Sequence, residues 1–90
     1  MRASPDFIRR EIVGEYLLVP TGAAAARING LVTLNELGDY IFRKLADEQT
    51  EQSLLAAIVS EYDVDNETAR ADLRDFLSQM RQIGALEEQA

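Results

Sequence analysis

The stretch Ile28-Asn29-Gly30-Leu31-Val32-Thr33-Leu34-Asn35-Glu36-Leu37-Gly38 decides the fold, because the hydrophobic period changes inside it. Before Asn35, apolar residues crowd into short runs bounded by turn signals, as strands do. After it, Leu37, Ile41 and Leu45 recur on one helical face with Phe42 beside them. Asn35 stands at the junction, where its side chain suits an N-cap. Asn29-Gly30 is the strongest short hairpin signal, since both residues tolerate the positive φ of a type I′ turn. The expected hairpin joins Ala26-Arg27-Ile28 to a third strand at Leu31-Val32-Thr33-Leu34. The alanine run 23–26 is equally compatible with a turn of helix, which leaves the state of residues 23–28 open.

Toward the N-terminus, Phe7 to Val13 reads as a strand, Gly14-Glu15 as a tight turn, and Tyr16-Leu17-Leu18-Val19 as a second strand closed by Pro20. Residues 1–6 read as a polar lead-in. Toward the C-terminus, the first helix should stop near Ala46. Thr50 opens a second helix with a stripe of Leu54, Leu55, Ile58, Val59 and Tyr62. Asp65 or Asn66 caps a third, which runs to about Ile83 before Gly84 supplies a left-handed C-terminal residue. Ala85-Leu86-Glu87 either adds a short strand or packs back. The expected fold is therefore α+β and winged helix-turn-helix-like. A small N-terminal antiparallel sheet is followed by three α-helices in one domain over residues 7–88.

The chain of 90 residues has no cysteine and no histidine. Disulfides and thiolate metal sites are excluded, and the commonest general base, metal ligand and pH switch are missing too. The paired carboxylates, Asp47-Glu48, Asp63 with Asp65, and Glu87-Glu88, lie at element ends, where solvated turns and helix starts take negative charge without any chemistry. Sixteen acids against nine bases give a formal charge of −7, an unfavourable field for nucleic acid. No apolar run approaches the roughly 18 residues of a membrane span, and no signal-peptide pattern opens the sequence. A cytoplasmic binding protein without cofactor, and not an enzyme, is the expectation.

Two local motifs fail on inspection. Gln52-Ser53-Leu54 lacks the Asp that precedes the modified Ser of acyl-carrier-type proteins. Asp63, Asp65 and Glu67 open like a calcium loop, but the sixth position is Thr68 instead of Gly and the twelfth is Arg74 instead of Glu.

At about 100° per residue, the third helix divides into stripes. Ala69, Leu73, Phe76, Met80 and Ile83 form a core stripe, while Asp72, Asp75, Gln79 and Gln82 take the far side. Arg70, Arg74, Leu77 and Arg81 fall together on a further stripe. Either these arginines pair with the abundant acids of the same chain, or they form a groove edge that grips an acidic, partly apolar ligand. Periodicity does not choose between the two.

The segment Val19-Pro20-Thr21-Gly22, the stretch Ile28 to Gly38 and Tyr40-Ile41-Phe42-Arg43-Lys44-Leu45 resemble the PqqD-like family. Thr50, Glu61-Tyr62-Asp63-Val64-Asp65, Leu73 to Leu77 and Gly84-Ala85-Leu86 fit as well, so the resemblance covers about residues 7–88. It implies a peptide-recognition element for ribosomally made, post-translationally modified peptides. The leader of a precursor would add as a strand to Leu31, Val32 and Thr33, lie against the third helix, and be presented to a modifying enzyme, commonly of the radical S-adenosylmethionine type. Carried over, the groove wall is Arg70, Arg74, Leu77 and Arg81, with Arg74 and Arg81 holding leader acids and Leu77 and Val32 lining an apolar pocket. Strand addition draws its hydrogen bonds from main chain, so it leaves little trace in side-chain chemistry. An exposed edge also permits self-pairing, hence a monomer or weak homodimer. The alternative is a winged-helix DNA-binding regulator with the same arginines at phosphates or guanine.

Overall fold

The computed structural model describes residues 1–88. Strands β1 (Arg2–Ala3), β2 (Phe7–Ile12) and β3 (Glu15–Pro20) are followed by α1 (Gly22–Arg27), β4 (Val32–Leu34), α2 (Glu36–Lys44), α3 (Glu51–Glu61), α4 (Asn66–Ile83) and β5 (Leu86–Glu87). The expected α+β class holds: an antiparallel sheet in the order β2-β3-β4 precedes the three long helices. Residues 1–6 are more than a lead-in, because Arg2 pairs with Glu87 and Ala3 with Leu86.

Two turns differ from expectation. The first hairpin turns at Val13-Gly14, with φ of 50° and 78°, and Ile12 pairs with Glu15. Those two positive φ values identify the type I′ turn, one residue earlier than the Gly14-Glu15 reading. The hairpin expected at Asn29-Gly30 does not form. Residues 26 and 27 end α1, Ile28 caps it by donating to the Ala24 carbonyl at 2.9 Å, and β4 pairs with β3 instead. A type I′ turn needs positive φ at both central residues, and here Gly30 has it (98°) while Asn29 does not. The alanine run takes its helical option, and Ala24 is fully buried.

The helix ends were written more plainly. Asn35 Oδ1 accepts from the Gly38 N–H at 2.7 Å. Thr50 and Ser53 form a reciprocal capping box, and Asp65 Oδ1 accepts from the Thr68 N–H at 2.7 Å. Gly84, at φ 75°, closes α4 in the left-handed conformation. Leu18, Ile41, Leu45, Leu54, Ile58, Leu73 and Leu77 are the fully buried centre of the core. Each contributes about 1.5–3 kcal/mol of burial. Asp39 of α2 is also buried, and its carboxylate is held by Arg9 of β2 and Arg43 of α2, so the Arg9 pair ties the sheet to α2. Buried charge is tolerated only when paired in this way.

Candidate functional site

Strand β4 ends the sheet: it pairs with β3 on one side, and among the described residues its other edge has no strand partner. That edge opens on a groove of about 430 Å³. Val32, Thr33, Leu34 and Asn35 form one side, Leu37, Gly38 and Ile41 of α2 the end, and Asp72, Asp75, Phe76, Gln79 and Met80 of α4 the facing wall. Leu37 and Asp72 also border a second depression of about 240 Å³, lined mainly by Ile58, Tyr62, Val64 and Ala69. The groove thus has main-chain groups on one side, carboxylates on the other and apolar surface between.

Of the residues expected to form the site, Val32 and Thr33 line the groove. Leu31 precedes the strand and is exposed. Arg70, Arg74, Leu77 and Arg81, the expected wall, are not among the residues that line this groove. Leu77 is 1% exposed and belongs to the core. Arg70 and Arg74 border a different cleft, of about 500 Å³, between α3 and α4. There Arg74 pairs with Glu51, and Arg70 donates to Asn66 Oδ1 at 3.1 Å. Arg81 grips both oxygens of Glu88, at 2.7 and 3.3 Å. This pair holds the Glu88 carboxyl below its ordinary pKa, first through the hydrogen bond from Arg81 and then through its charge.

The reason lies in how α4 is buried. Its core arc runs from Phe76 to Leu77, about 100° of helix surface. With α3 against one flank and α2 and β4 against the other, the arginines fall on the α3 flank. Asp72, Asp75 and Gln79 fall on the flank that meets the strand edge. The i, i+3, i+7 recurrence of those three was visible in the sequence, but which flank would meet β4 was not. Each arginine of the stripe is engaged by a neighbour in the chain: Arg70 by Asn66, Arg74 by Glu51 and Arg81 by Glu88.

Among the described residues, no group of three or more His, Cys, Asp or Glu side chains could hold a metal ion. No helix among them is long and apolar enough to cross a membrane.

No curated protein matches the chain in sequence. It is similar to the solved structure of TbiB1 in complex with the TbiA(beta) leader peptide. The two are 28% identical with a TM-score of 0.79, over 100% of this chain and 99% of that one. Residues 14–86 match the family described as Coenzyme PQQ synthesis protein D (PqqD). With that match spanning most of its length and the strand-then-helix order in place, the chain belongs to the PqqD family.

Proposed function

We propose that this protein is a leader-peptide-binding adaptor: a precursor peptide adds as a strand to the free edge of β4, lies against α4, and is presented to a separate modifying enzyme. The observation that carries the reading is the groove itself, an unpaired strand edge facing a helix wall, in a chain similar to a protein solved with a leader peptide. The sheet has a second edge at β2, but that strand carries Arg9, Arg10 and Glu11 in succession, a charge pattern that discourages pairing. By contrast, Val32, Thr33 and Leu34 are uncharged. A radical S-adenosylmethionine enzyme is the partner that the family resemblance implies, in the cytoplasm, with this chain acting as monomer or weak homodimer and contributing no catalysis of its own.

Strand addition alone does not give useful affinity. A three-residue strand offers only a few main-chain hydrogen bonds, each worth about 1 kcal/mol net, whereas micromolar binding needs about 8 kcal/mol. Side-chain contacts in the groove have to supply the rest, so specificity is written there.

Titration of isotopically labelled protein with the leader region of a precursor peptide encoded beside it, followed by NMR, tests the proposal. Shifts concentrated on residues 32–35 and on 72, 75, 76 and 79 support it. Binding that shifts only the α3–α4 cleft refutes it.

A further inference from the structure

The charge of the groove names the kind of peptide it takes. Every charged residue that lines it is an acid: Asp72 and Asp75 on α4. Neither forms a salt bridge among the described residues; Asp75 accepts only the amide of Gln79, at 3.0 Å. Four arginines of the chain are paired with other acids. Arg9 and Arg43 hold Asp39, Arg74 holds Glu51, and Arg81 holds Glu88. Two carboxylates therefore face the free edge of β4 without counter-charge, on a chain of net charge −7.

We infer that the segment docking on β4 is cationic, with Lys or Arg at two alternating positions that face α4. This rests on the strand-addition reading above and specifies its substrate class. In an added strand, side chains on one face recur every second residue, about 6.6 Å apart. Side chains at i and i+3 on a helix lie about 5–6 Å apart. Asp72 and Asp75 are spaced in that way, so two basic side chains on the inner face of the strand can each reach one carboxylate. The uncharged residue between them points away from the helix. An acidic segment would meet unpaired like charge at both positions and be repelled by the field of the whole protein, whereas a basic one is steered in. The sign is opposite to that of a groove walled by the arginine stripe.

Selection from a displayed library of random 20-residue peptides tests this, with the full chain as bait and NMR mapping of the selected peptides. The expected result is enrichment of Lys or Arg at alternating positions in peptides that shift residues 32–35. Their affinity should fall about fivefold in the double variant Asp72→Asn/Asp75→Asn, as two exposed ion pairs are worth. It should also weaken with added salt. Neutral or acidic peptides that shift residues 32–35, or affinity unchanged in the double variant, overturn the cationic assignment and leave strand addition standing. Selected peptides that shift other residues and never 32–35 overturn both.

Discussion

Gly38 lies so close to Phe76 that a Cβ built on it would sit 2.9 Å from the Cε1 of the ring, and 3.1 Å from Asn35 Oδ1. Both residues line the groove, and Phe76 is largely buried. The glycine is therefore a spacing device that lets α2 approach α4. Alanine would gain up to about 1 kcal/mol of helix propensity, but overpacking a fixed ring costs about 1–3 kcal/mol. Gly38→Ala should lose about 1 kcal/mol in urea unfolding and weaken peptide binding, because Phe76 moves toward the groove. Unchanged stability together with unchanged affinity would show that the ring yields freely.

Leu77, 1% exposed, supports the core. Leu77→Ala should cost about 2–5 kcal/mol by leaving a cavity. Leu77→Met, which roughly conserves volume, should cost less than about 1.5 kcal/mol and leave peptide affinity within about twofold. A large affinity loss in the methionine variant, with stability kept, would return Leu77 to the binding surface.

Val13 occupies a left-handed conformation at φ 50° and is 98% exposed. A β-branched residue is poorly suited there, and its side chain gains nothing from packing. Val13→Asn creates the Asn-Gly pair that a type I′ turn prefers, and should raise stability by about 1 kcal/mol without changing binding. Thermal unfolding reads the difference directly.

Stability should be flat from about pH 5 to pH 7, since the chain has no histidine to titrate there. Below that it should fall. Glu88 is held below its ordinary pKa by Arg81, and Asp65 by hydrogen bonding from Thr68. A carboxyl depressed in the folded state stabilises above its unfolded pKa and loses that contribution as pH drops through the folded value. Melting temperatures measured from pH 7 down to pH 3 should decline only in the acid limb. A transition near pH 6 would contradict the assignment.

The three long helices were legible because each carries its own punctuation. Asn35, Thr50 and Asp65 cap the starts, Gly84 closes the last, and the apolar spacing between them is regular. The sheet was less legible. Asn29-Gly30 offers the composition of a hairpin, yet four alanines and Thr21 before it build α1, and only tertiary pairing brings β4 beside β3. Arg2–Ala3 escaped notice because a two-residue strand has no period. The groove was half legible: Val32 and Thr33 belong to it, whereas its wall is Asp72, Asp75 and Gln79 in place of the arginines. Helical periodicity tells which side chains share a stripe. It does not tell which neighbour covers each flank, and that choice set the sign of the charge at the site.

The most direct test of strand addition is backbone hydrogen exchange at Val32, Thr33 and Leu34 with and without a saturating leader peptide. An added strand takes up main-chain groups on the free edge of β4, so exchange within this segment should slow markedly on binding while the paired amides of β2 and β3 change little. Equal exchange in the free and bound states across residues 32–34, with new protection at the α3–α4 cleft beside Arg70 and Arg74, would contradict the account.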